Sequence, residues 1–185
     1  TVSIGAEESG TERNATQILE FAGMPSSLVA TKNLDYIEAT KELKAGDIDA
    51  FFCTAGLTTT VIDELSKECD IRLIPLTDTV ISKMLESSSA YTSEVIPAGT
   101  YTGQDTAIST IGVKSVLITK SDVSDDTIEQ LTSLLFEKEN ELSYSNSLKL
   151  ELTYDFATDD IPIPFHDGAK RYYKACGSVS YTHLR

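Results

Sequence analysis

Two short stretches of small residues have the composition for chemistry at a bare main chain. Ser9-Gly10-Thr11 opens a segment of helical periodicity, and Thr54-Ala55-Gly56 follows an apolar run. The first turn of a helix has about four N–H groups without intrahelical acceptors, together with the positive end of the macrodipole. Glycine lets a ligand approach the backbone closely, and Ser and Thr hydroxyls add donors without adding charge. That combination suits a carboxylate or a similar small anion. Ser9 also fits a purely structural role, because Ser9 with Glu12 three residues on is the capping-box pattern. Residue types alone leave both roles open.

No residues form a convincing catalytic set. His166 stands beside Asp167 at a predicted helix start, where a structural or surface role is expected. The G-x-S-x-G and G-x-x-x-x-G-K-[ST] patterns are absent. Asp78, Asp105, Asp122, Asp125 and Asp126 flank loops or helix starts, and nothing pairs them as acid and base. Cys53, Cys69 and Cys176 are odd in number and include no C-x-x-C pair, so they read as buried or idle thiols and not as a disulfide framework or a zinc site. The expectation is a protein that is not an enzyme and needs no cofactor or metal. Tyr91 and Tyr101 are placed to line a cleft.

The elements that would hold these residues alternate between strand and helix. A strand over residues 2–5 leads into a helix with Ala15, Ile18, Leu19 and Ala22 on one stripe, stopped by Gly23. A second helix follows Asn33, with Leu34, Ile37 and Leu43 inward and Gly46 at its end. Residues 48–53 (IDAFFC) read as a buried parallel strand. A helix over 58–67, a strand over 71–76 (IRLIPL) and a helix around 80–85 come next. Residues 95–101 form a strand leaving one layer. The β-branched stretch 107–119 reads as two strand pieces around Gly112. Ser124 caps a helix bearing Ile128, Leu131, Leu134 and Leu135, and a last helix covers 169–176. Residues 143–160 are ambiguous. Such alternation means an α/β fold with a largely parallel sheet, whose ligand crevice lies at the carboxyl ends of the strands.

The chain has 185 residues, of which 41% are hydrophobic, and a net charge of −14. Its pI is about 4.4. An acid excess of this size argues against nucleic acid or an anionic membrane surface as partner. It does not argue against a small anion held by backbone dipoles. No apolar run approaches the roughly 20 residues that span a bilayer. The opening TVSIG reads as a strand, so a secretory leader is expected to be absent from this chain or already removed.

Four blocks together resemble one family. They are VSIGAEESGTERNATQILEFAGM (2–24), LKAGDIDAFFCTAG (43–56), VIPAGTYTGQDTAISTIGVKSVLI (95–118) and IPIPFHDGAKRYYKACG (161–177). Their order and spacing are similar to those of the solute receptors of TAXI-type tripartite ATP-independent periplasmic (TRAP) transporters. The resemblance implies a type II periplasmic-binding-protein-like α/β fold, with two lobes that close over a solute. It implies an extracytoplasmic location, periplasmic or lipid-anchored at the cell surface, and membrane permease subunits as partners. The solute would be a small carboxylate or an amino acid such as glutamate. By position the implied ligand-binding residues are Ser9, Gly10, Thr11 and Asn14, then Thr54, Ala55 and Gly56, and Tyr101 where the chain recrosses between lobes.

The chain also departs from the family. By the resemblance, the first half of lobe one is expected to be missing from this chain and the fold to be incomplete. Residues 1–98 would be the second lobe, and 99–177 the crossover with the returning part of the first. Leu57 and Asp167 stand where the family often has Pro. Residues 178–185 (SVSYTHLR) match nothing before them and read as a foreign tail. The alternatives are an enzyme or effector-sensing domain on the same fold, or a non-functional fragment.

Overall fold

A computed structural model of the chain describes residues 1–137, 152–159, 161 and 163–177. The expected foreign tail at 178–185 and most of the ambiguous stretch 143–160 lie outside the described residues. The chain divides into two compact units, Thr1–Gly112 and Val113–Arg185. The first unit therefore takes in residues 99–112 along with residues 1–98.

In the first unit, β1 (Val2–Ser3) is the centre of a three-stranded parallel sheet ordered β2-β1-β3, with β2 at Thr31–Lys32 and β3 at Ala50–Phe51. Val2 is in register with Thr31 and with Ala50. The strands are shorter than expected because the chain leaves β1 at Gly5, whose φ of +99° is open to glycine. The ladder continues beyond the strand bounds through bonds from Asp49 N–H to Thr1 O and from Phe52 N–H to Ser3 O.

Helix α1 (Gly10–Phe21) buries Ala15, Ile18 and Leu19, the stripe expected from its spacing. It ends in a Schellman turn: Met24 N–H reaches Leu19 O, and Gly23, at φ +72°, donates to Glu20 O. Helix α2 (Tyr36–Ala45) starts later than expected, because Asp35 and Glu38 form the capping box. That start rotates the buried face. Ala39 is buried and Ile37 is 78% exposed, so the expectation that Ile37 faces inward is wrong. Helices α3 (Thr60–Glu68) and α4 (Asp78–Ser87) follow. Ile4, Ala15 and Leu19 pack with Phe52, while Ile18, Val80 and Met84 pack with Phe21, Leu76 and Tyr91.

Residues 71–76 do not form the expected strand. Pro75 has no N–H to give a ladder, and one bond, Leu76 N–H to Ser109 O, ties the segment to its neighbour. A second sheet pairs β4 (Tyr91–Ile96) with β5 (Ile108–Val113). Gly112 does not interrupt β5, contrary to the expected break. A side chain there would meet Glu94 Cγ at 2.7 Å and Thr92 Oγ1 at 2.9 Å, so the glycine makes room for cross-strand neighbours.

In the second unit, α5 (Asp125–Glu137), α6 (Tyr154–Thr158) and α7 (Asp167–Ala175) surround an aromatic cluster. Ile128, Ala169 and Tyr173 are its buried centre, with Phe136, Tyr154, Phe165 and Tyr172 packed around them. Leu131 and Leu134, expected inward, are 38% and 49% exposed. His166 caps α7: its Nδ1 accepts from Gly168 N–H at 3.1 Å. Asp167 pairs with Lys170 at 3.0 Å, which lowers its pKa.

Candidate functional site

Parallel pairing places the carboxyl ends of β2, β1 and β3 on one edge of their sheet. The three segments leaving that edge are the turn to Ser9-Gly10-Thr11, the turn from Asn33 to Tyr36, and Thr54-Ala55-Gly56. The crevice position expected for such sheets is therefore built here from three turns of one unit.

The first turn is held tightly. Ser9 caps α1, its Oγ accepting from Glu12 N–H at 3.1 Å. The reciprocal half of the expected capping box is displaced by one residue. Glu12 Oε2 accepts from Glu8 N–H at 2.7 Å, and Glu8 sits at φ 61° in the left-handed region. Asn33 Nδ2 donates to Glu12 Oε1 at 2.8 Å and to Gly5 O at 3.1 Å. Thr11 is buried, while Gly10 is exposed and has open space where a side chain would be. As the first two helical residues, Gly10 and Thr11 have N–H groups beyond the reach of intrahelical acceptors.

Tyr36, which sequence reasoning missed, joins this turn to the next. Its hydroxyl lies 2.9 Å from Thr11 Oγ1, accepts from Thr54 N–H at 3.0 Å and donates to Thr54 O at 2.9 Å. The available signal was the Asp35/Glu38 capping box, which makes Tyr36 the first helical residue and so puts it at the sheet edge. Cys53, the residue before Thr54, also meets the Tyr36 hydroxyl. Burial pushes its thiol up to about 11, with the Tyr36 hydrogen bond opposing.

Tyr101 is buried and holds the far end of the second turn. Its hydroxyl donates to Leu57 O and accepts from Thr59 N–H at 3.3 Å. Burial raises its pKa. Gln104, also missed, fixes Tyr101: its Oε1 accepts from Tyr101 N–H at 3.3 Å, and its Nε2 donates to Pro97 O at 2.9 Å and Thr106 O at 3.0 Å. Asn14 is engaged elsewhere, its Oδ1 accepting from Tyr91 OH at 2.9 Å.

Thr11 and Thr54 are thus brought together, Ser9 and Gly10 flank Thr11, Ala55 and Gly56 continue from Thr54, and Asn14 faces β4. Thr54, Ala55 and Gly56 are exposed. A groove of about 620 Å³ elsewhere in the unit is lined by Arg72, Leu73 and residues 101–108, and of the expected ligand positions only Tyr101 borders it. Among the described residues no group of three His, Cys, Asp or Glu is placed to hold a metal. No helix among them is long and apolar enough to cross a membrane.

The arrangement offers uncharged donors: the Ser9 hydroxyl, two helix N-terminal N–H groups and the turn after β3. Glu7 and Glu8, both exposed, immediately precede Ser9 in the chain. A family model described as NMT1-like matches residues 1–177. The chain belongs to the NMT1-like family, whose members have a periplasmic-binding-protein-like fold and a solute-binding type of domain.

Proposed function

We propose that the protein is the extracytoplasmic solute-binding subunit of a TAXI-type TRAP transporter, delivering its solute to membrane permease subunits. It acts by binding and release and catalyses no reaction. The solute is a small carboxylate or an amino acid such as glutamate. The observation that carries this reading is the pairing of the α1 N-terminus with the Thr54-Ala55-Gly56 turn at one sheet edge. A carboxylate fits the N–H groups of Gly10 and Thr11. The exposed Glu7 and Glu8 next to Ser9 in sequence would suit the ammonium group of an amino acid. The resemblance of the four sequence blocks supplies the transporter type.

Gly10 separates ligand binding from folding. Nothing lies within 4 Å of a Cβ placed there. Alanine at an unstrained helical glycine stabilises by about 0.4–1 kcal/mol. Gly10→Ala is expected to keep or raise the melting temperature while weakening L-glutamate binding at least tenfold by titration calorimetry. Unchanged affinity in this variant would remove the α1 N-terminus from the site.

A further inference from the structure

We propose that Tyr36 is a positioning residue of the candidate ligand site, locking the turns at Thr11 and Thr54 into one unit. This rests on the solute-binding reading above and adds to it the residue that sets the spacing between the two halves of the seat.

The proton count carries the inference. A phenol donates one hydrogen bond and accepts up to two. Thr54 N–H can only donate, and Thr54 O can only accept. Tyr36 therefore uses its proton on Thr54 O at 2.9 Å and receives the Thr54 N–H at 3.0 Å. The remaining hydrogen bond, 2.9 Å to Thr11 Oγ1, is then donated by Thr11, and the neutral Cys53 thiol beside the phenol takes no proton from it. Both polar groups of the Thr54 main chain and the Thr11 hydroxyl proton are consumed inside the protein. The donors left for a ligand are the Ser9 hydroxyl, the N–H groups of Gly10 and Thr11, and the turn at Ala55 and Gly56. Thr11 and Tyr36 act through one shared bond, so their removal is not additive.

The phenol is itself well anchored. The Asp35/Glu38 capping box fixes the start of α2, and Lys32 Nζ bonds Glu42 Oε2 at 2.7 Å on the same helix. Tyr36 thus ties the end of β3 to the start of α1 from a third element.

The test uses the full chain with L-glutamate as probe. Calorimetry on the wild type, Tyr36→Phe, Thr11→Val and the double variant should show each single change weakening binding at least fivefold. The double should lie within twofold of the weaker single. Amide exchange followed by NMR should show the Thr54 N–H exchanging at least tenfold faster in Tyr36→Phe. The Phe52 N–H, bonded to Ser3 O at 2.9 Å, should be unchanged. Multiplicative losses in the double variant, or an unaltered Thr54 amide, would overturn the proposal. A wild type that does not take up L-glutamate overturns the glutamate reading alone, and the exchange comparison then decides the role of Tyr36 by itself.

Discussion

Tyr36 and Thr54 are joined twice, by an N–H donated to the phenolic oxygen at 3.0 Å and by the phenol's own donation to the carbonyl at 2.9 Å. The residues are 18 apart in sequence: Tyr36 opens α2, and Thr54 lies in the turn that follows β3. Because one side chain satisfies both polar groups of Thr54, the turn after β3 has a fixed orientation before any ligand arrives. Preorganisation of this kind lowers the ordering cost of binding.

Gly5 is expected to tolerate no side chain. It adopts φ +99°, and a Cβ would fall 2.8 Å from Thr11 Cβ and 3.1 Å from Ser9 Oγ. Overpacking of this type costs about 1–3 kcal/mol, to which the unfavourable φ adds. Gly5→Ala should lower the urea midpoint clearly, whereas an unchanged midpoint would contradict the close approach of β1 to α1.

Gly168 makes the corresponding demand in the second unit. A Cβ there would sit 2.2 Å from Asp125 O and 3.0 Å from Glu129 N, so α7 and α5 would have to separate. Gly168→Ala should cost at least the same ~1–3 kcal/mol and loosen the aromatic cluster. Near-ultraviolet circular dichroism of the tyrosines reads that loss directly.

The thiols should differ in reactivity. Burial holds the Cys53 pKa up at about 11, and Cys176 is exposed. Alkylation requires the thiolate, so at about pH 8 Cys176 should react first and Cys53 should lag far behind. Timed iodoacetamide labelling with peptide mapping measures the order, and early modification of Cys53 would refute its burial.

Alkaline pH should destabilise the protein. Burial raises the pKa of Tyr101, Tyr172 and Tyr173 above the ordinary value of 10. Above that value the unfolded phenols lose their protons while the native ones keep them, so the unfolded state binds fewer protons and stability falls. The contribution is fully present below pH 10 and is lost as pH rises through the raised native values. Absorbance at the phenolate band should show at least three of the eight tyrosines ionising late, with the urea midpoint falling over the same range. A single native step at the ordinary value would contradict it.

Local signals made much of the fold legible. The apolar stripe of α1, the Gly23 stop and the Ser9 and Ser124 caps depend on residues within a turn of one another, and sequence spacing reports such contacts well. The two candidate turns were legible for a similar reason, since small residues at a strand–helix junction have a local physical meaning. What joins them was not. Tyr36 meets Thr54 across 18 positions, and Gln104 serves backbone groups of a loop whose path depends on its surroundings. Strand length was overread at 48–53 and 71–76 because hydrophobic runs do not reveal where a glycine turns the chain or where a proline withholds a donor. Leu131 and Leu134 have helical spacing, but spacing alone does not state what packs against them.

Gln104 carries a consequence of its own. Its amide nitrogen faces the carbonyl oxygens of Pro97 and Thr106 from a side chain that is nearly enclosed. Glutamate has the same outline, but the exchange would set an oxygen against oxygens. Deamidation would therefore convert the attractions that hold this loop, and through it Tyr101, into repulsions without changing the loop's shape. Shape alone does not satisfy the position, which makes it a place where chemical ageing of a single atom would release the second turn.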